Sequence, residues 1–175
     1  MSEADGASQP NNDLHLLNQE NQNEQDIQLT LPLFWDHLNE QDKEAYSTMR
    51  MGLSSPACKH RRHHSIDLNR EIIQTIKKFV IRNDQDDWKR ALVSGIAWFP
   101  QAIAINTRQL RLLISKCKSS INALFQHLGY VTIPTTNEYS SLLVSYMPIL
   151  KDNFQEQRKW TIRLQSNAQF PIQTI

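Results

Sequence analysis

The stretch from Ile105 to Tyr130 constrains this chain more than any other. It reads INTRQLRLLISKCKSSINALFQHLGY, two short amphipathic segments separated by a few polar residues. Apolar Ile105, Leu110, Leu113 and Ile114 give the first segment one inward stripe at helical spacing. Asn106 is a favourable N-cap, and Gln109 follows three residues on, as in a capping box. Ser115, Lys116 and Cys117 supply a turn. A second helix is predicted over Lys118 to Leu128, with Ile121, Leu124, Phe125 and Leu128 facing inward and Gly129 as its left-handed stop. Two amphipathic helices, a tight turn and a free second helix are the signature of a helix-turn-helix.

The helical wheel selects the residues that could touch DNA. At about 100° per residue, Ser119, Asn122, Ala123 and Gln126 point away from the apolar set of the second helix. Asn and Gln can bond adenine bidentately, a Ser hydroxyl serves several base edges, and Ala can sit against a thymine methyl. Lys116 and Lys118 flank the start of this face, and Arg108 and Arg111 lie on the preceding helix, within reach of backbone phosphates. The competing reading of the same pattern is a polar solvent face on an ordinary helical hairpin.

Charge is divided along the chain. Residues 1–44 hold ten acidic groups and one base, nine negative charges in excess, whereas residues 45–175 hold 18 bases and eight acids, ten positive charges in excess. A basic body with an acidic tail suits a polyanionic partner. Residues 1–29 are dominated by Asn, Gln, Ser, Asp and Glu with no aromatic residue, a composition that cannot offset chain entropy, so a disordered tail is expected there. No apolar run approaches membrane-spanning length, and the N-terminus lacks the basic-then-apolar layout of a signal peptide, so no membrane partner is expected. Two cysteines, Cys58 and Cys117, fit free thiols in a reducing compartment.

The remaining segments read mainly as helix. Leu31 to Leu38 has Pro32 at a helix start and Phe34, Trp35 and Leu38 as core anchors. Asn39 caps a helix over Glu40 to Arg50, with Gly52 after it. Leu53 to Ser65 reads as a loop, Asp67 to Val80 as a helix on Leu68, Ile72, Ile73, Ile76 and Phe79, and Trp88 to Trp98 as another that Pro100 stops. Val131 to Tyr139 suggests a strand or small wing limited by Pro134. Ser140 to Asp152 returns to helical spacing with Pro148 interrupting, and Trp160 to Leu164 alternates as a short strand.

Two polar clusters compete for chemistry. Cys58-Lys-His-Arg-Arg-His-His64 carries ligand types for zinc, but its spacing matches no common finger and Arg61 and Arg62 would crowd the metal with positive charge. A basic loop that reaches phosphate through Arg61 and Arg62 is the better reading, with a nuclear-import patch or a solvated loop as the alternatives. Asp84, Asp86 and Asp87 could bind a cation, yet their place before Trp88 makes them helix-start acids. Gly-rich phosphate loops, Cys-x-x-Cys, His-Glu-x-x-His and Gly-x-Ser-x-Gly are all missing, so neither an enzyme, a cofactor nor a small-molecule substrate is expected.

Several strings together resemble the initiator-binding domain of parabasalid core-promoter-binding proteins. They are Asp87-Trp-Lys-Arg-Ala-Leu-Val-Ser-Gly-Ile-Ala-Trp-Phe-Pro100, Ile103-Ala-Ile-Asn-Thr-Arg-Gln-Leu110, Lys116-Cys-Lys-Ser-Ser-Ile-Asn122 and Leu128-Gly-Tyr130. Phe34-Trp35 and Arg158-Lys-Trp-Thr-Ile-Arg163 look like the edges of the same domain, so the resemblance covers about residues 31–165. It implies a winged helix, sequence-specific binding of the initiator element, and a recognition helix at Lys118 to Leu128. Two features depart from the family. Full-length members carry a second domain that contacts RNA polymerase II, and this chain ends soon after the DNA-binding portion. The family often has Gly where Ala123 stands here, so the target sequence does not carry over.

The expected architecture is mainly α: a tail over residues 1–30, a winged-helix DNA-binding domain over 31–165 with a small β element, and a C-terminal tail over 166–175. The expected function is sequence-specific binding of double-stranded DNA at a promoter in the nucleus, with the transcription machinery as a further partner. The alternative is a protein-interaction module whose basic face takes an acidic partner.

Overall fold

Capping side chains and left-handed residues set the element boundaries. The computed structural model describes residues 30–54 and 65–166. A 3-10 turn at Trp35–His37 precedes α1 (Glu40–Ser54), α2 (Ser65–Val80) and α3 (Asp87–Ser94). The hairpin of β1 (Ile96–Trp98) and β2 (Ala102–Asn106) leads into α4 (Thr107–Ile114), α5 (Lys118–His127) and β3 (Tyr130–Thr132). Then come α6 (Asn137–Tyr146), a 3-10 turn at Pro148–Leu150, the short α7 (Phe154–Gln157) and β4 (Trp160–Gln165). Asn39 caps α1 by accepting from the backbone N–H of Asp42 at 2.8 Å, and Asn153 caps α7 by accepting from that of Glu156 at 3.1 Å.

The sheet is antiparallel throughout, in the order β1-β2-β4-β3. The helix-turn-helix α4–α5 connects β2 to β3, and β3 pairs with β4, the topology of a winged helix. The helices α6 and α7 occupy the connection between the two wing strands. Strand β2 is buried at all five positions. The core joins it to Ile72, Ile76 and Val80 of α2, Leu110 and Leu113 of α4, and Ile121, Leu124 and Phe125 of α5.

A buried charge cluster braces the three leading helices. Arg90 of α3 is 1% exposed. Its Nη1 donates to Asp42 of α1 at 3.1 Å, its Nη2 to Asp84 at 2.6 Å and to Asp87, and its Nε to the Val80 carbonyl at 3.2 Å. Asp87 also accepts from the backbone N–H groups of Arg82 and Asn83. Asp84 and Asp87 are thus acids of a helix start, as their position suggests, and also the partners of Arg90.

Several boundaries differ from the sequence expectation: the helix start expected at Pro32 is absent and only the 3-10 turn at Trp35–His37 forms, and α2 begins at Ser65, not Asp67. The helix predicted over Trp88 to Trp98 ends at Ser94, because Gly95 turns left-handed (φ 80°) and Ile96 to Trp98 is strand. A Cβ at Gly95 would lie 2.7 Å from the Asn106 carbonyl oxygen, so the chain can turn there only through glycine. The first helix of the helix-turn-helix begins at Thr107, and Ile105 belongs to β2. Gly52 does not end α1, which runs on to Ser54. The predicted helix from Ser140 to Asp152 starts earlier, at Asn137, and Pro148 restarts the chain as a 3-10 turn. The expected disordered tail, the Cys58–His64 cluster with Arg61 and Arg62, and the C-terminal tail beyond Ser166 lie outside the described residues.

Candidate nucleic-acid interface

The turn between α4 and α5 is built from local chemistry. Asn106 caps α4, its Oδ1 accepting from the backbone N–H of Gln109 at 3.4 Å. Gln109 does not complete a capping box. Its side chain is buried, and its Oε1 accepts from the Leu33 backbone N–H at 3.2 Å, which ties the segment before α1 to α4. Ser115 ends α4 in a left-handed conformation (φ 49°), and its hydroxyl meets that of Ser54 at 2.9 Å, so the end of α1 holds the turn from behind. Gly129 (φ 81°) then turns the chain from α5 into β3, and its carbonyl accepts from the Ser166 hydroxyl at 2.7 Å.

Helix α5 buries Ile121, Leu124 and Phe125 and turns its polar side outward. Ser119 and Gln126 are exposed, and Asn122 and Ala123 are half-buried. Arg108, Arg111 and Lys118 are exposed and Lys116 is half-buried. None of these four cations has an ion-pair partner among the described residues, whereas Lys89 is spent on Asp86 at 2.6 Å. From Trp88 to Asn137 the chain contains six bases and no acid, so no carboxylate from this stretch opposes a polyanion.

Cys117 stands at the N-cap of α5 with its thiol exposed. The hydroxyls of Ser119 and Ser120, each 3.1 Å from Sγ, lower its pKa to about 7. Ser119 is therefore a hydrogen-bonding neighbour of Cys117 as well as an exposed residue of α5.

Sequence reasoning missed Arg163. It lies in β4 between Ile103 of β2 and Thr132 of β3 and is 5% exposed. Its guanidinium stacks over the Phe125 ring at 5.4 Å, and its Nη2 donates to Oδ1 of Asn122 at 2.6 Å. Burial lowers its pKa below the ordinary arginine value. Alternation in Trp160-Thr-Ile-Arg-Leu puts Arg163 opposite the apolar set Trp160, Ile162 and Leu164. That alternation reads as a solvent face, but β4 is a central strand and Phe125 covers this side. Asn122 is accordingly anchored to the sheet, not freely exposed as the wheel alone suggests.

Helix-turn-helix, wing strands and a base-rich, acid-free segment define a winged-helix domain of the DNA-binding class. Residues 40–167 match the transcription-initiator DNA-binding domain, and the chain belongs to that family. The family is one of DNA-binding domains, and initiator DNA binding in general is the activity that membership carries. No curated protein and no solved structure matches the chain. Among the described residues no group of His, Cys, Asp or Glu is placed to hold a metal, and no helix is long and apolar enough to cross a membrane.

Proposed function

We propose that this protein binds double-stranded DNA sequence-specifically at an initiator-like promoter element, with α5 lying in the major groove. On this reading Ser119, Ala123 and Gln126 face base edges, with Asn122 at the margin of the strip. Arg108, Arg111, Lys116 and Lys118 take phosphates on either side, and Arg61 and Arg62, which lie outside the described residues, add charge. The setting is the nucleus, and at a promoter the transcription machinery is the further partner.

One observation carries the reading: the outward strip of α5 (Ser119, Asn122, Ala123, Gln126) is uncharged, and cations without an ion-pair partner among the described residues border it. A helix that served only as a solvated surface would have no reason to exclude acids from both itself and its neighbours. A selection from random duplex DNA tests the proposal. Ser119→Ala and Gln126→Ala should each cost roughly 1–3 kcal/mol on the selected site and relax preference at one base pair. Unchanged affinity and an unchanged sequence preference in both variants would exclude α5 as the reader.

A further inference from the structure

The amide of Asn122 has a fixed orientation. Arg163 has donors and no acceptor, so the atom facing its Nη2 at 2.6 Å must be the oxygen, Oδ1. The guanidinium is immobilised in turn by its central strand and by the Phe125 ring. Its Nε is buried with no hydrogen-bond partner among the described residues. A desolvated cation with an idle donor works against folding. Satisfying the core does not account for it, since an apolar side chain would fill the same space against Phe125.

The inference rests on the major-groove reading above. We infer that Arg163 is a positioning residue that sets the base preference of Asn122 by occupying its acceptor. A free Asn amide presents a donor and an acceptor side by side, the pattern that matches adenine. With Oδ1 held by a charge-assisted bond to the sheet, the group directed away from Arg163 is the NH2. Asn122 then reads as a donor. It favours base pairs that present acceptors in the major groove, guanine N7 and O6 foremost, over a cytosine amino group. The wing strand thereby contributes to sequence choice without touching DNA.

The test is a duplex selection with the full chain as wild type, Arg163→Met, Arg163→Lys, Asn122→Ala and the Arg163→Met/Asn122→Ala double variant. Met keeps length and apolar contact with Phe125 and removes the donor. Arg163→Met should reduce preference about tenfold at the base pair that Asn122→Ala also relaxes. Arg163→Lys should restore part of it, and the double variant should behave as Asn122→Ala alone. An unchanged preference in Arg163→Met with a wild-type melting temperature overturns the inference. So does a further loss in the double variant, which would make Arg163 itself a reader. Should Arg163→Met not fold, Asn122→Asp gives a second route. It keeps a partner for Arg163 but turns an acceptor outward, so preference at that base pair should move towards cytosine; no movement overturns the inference. If Ser119→Ala and Gln126→Ala also leave the preference unchanged, it is the groove reading that fails. If they alter it and Arg163→Met does not, only the role of Arg163 fails.

Discussion

Asp42 in the first turn of α1 and Arg90 in α3 meet at 3.1 Å with both side chains shut away from solvent. The pair is separated by 48 positions in sequence and joins two helices that share no turn. Asp42 also takes Arg82 at 2.8 Å, so one carboxylate answers two guanidinium groups. Asp42→Ala leaves Arg90 with Asp84 and Asp87 but takes away its most deeply buried carboxylate partner, a loss of about 1–3 kcal/mol. Asp42→Ala should therefore lower stability by about that much in urea unfolding while leaving DNA sequence preference unchanged. A loss under about 1 kcal/mol would show that the cluster relaxes around the gap.

Asp84 gives the same cluster a pH dependence. The hydrogen bond from Arg90, then the backbone N–H of Asp86, hold its carboxyl below the usual aspartate range. A depressed folded pKa adds stability above the unfolded value, near about 4, and that stability is lost as pH falls through the lower folded value. Unfolding free energy measured between pH 6 and the acid limit should decline less steeply for Asp84→Asn than for wild type. Parallel acid limbs would mean that Asp84 gains nothing from Arg90.

Gly95→Ala is expected to be among the most damaging single-methyl changes in the domain. The new Cβ would sit 2.7 Å from the Asn106 carbonyl oxygen and 2.8 Å from the Leu110 backbone nitrogen, at a φ of 80°. Left-handed strain and overpacking together should cost roughly 2–5 kcal/mol. Gly52→Ala is the control. Among the described residues nothing lies within 4 Å of a Cβ placed there, and its position inside α1 should make the change neutral or stabilising. Similar melting temperatures for the two variants would contradict the packing described for the β2–α4 junction.

These junctions show which parts of the fold could be read from sequence. The helix-turn-helix was legible because its signals are local: Asn106 as a cap, helical apolar spacing in α5, and Gly129 as a stop. The β1–β2 hairpin was not, because Ile96-Ala-Trp and Ala102-Ile-Ala-Ile are short apolar runs that fit a buried strand or a helix equally well. What decides between them is Gly95, whose conformation is fixed by Asn106, eleven residues away. The cations that border α5 stand out from charge alone, and the structure leaves Arg108, Arg111 and Lys118 exposed. Arg163 was not, since its meaning depends on β4 lying between two other strands and beneath Phe125. Arg90 was hidden for the same reason, because a lone arginine beside an apolar run looks solvated until its three carboxylates are in place.

Cys117 reports on the start of α5. With its pKa lowered to about 7 by Ser119 and Ser120, its alkylation rate should rise through that pH on a Cys58→Ala background. Ser119→Ala and Ser120→Ala should each move the midpoint up towards the ordinary thiol value, near about 8.5. A midpoint that ignores both substitutions would show that the hydroxyls do not face Sγ in solution.

The last prediction separates cations that meet DNA from those that serve the fold. Trp88 to Asn137 carries six bases, but Arg90 is buried among carboxylates and Lys89 is paired with Asp86. On the proposed reading, Arg108, Arg111, Lys116 and Lys118 are left to release counterions when α4 and α5 dock. Arg108→Ala, Lys116→Ala and Lys118→Ala should each weaken binding to specific and random duplex alike. Each should also reduce the slope of log affinity against log salt by about one unit. Gln126→Ala should instead leave the slope unchanged and alter sequence preference, because a base contact displaces no counterion. If a lysine variant changed preference at constant slope, that lysine would be a base reader, and the boundary drawn here between the α5 strip and its cationic margin would move.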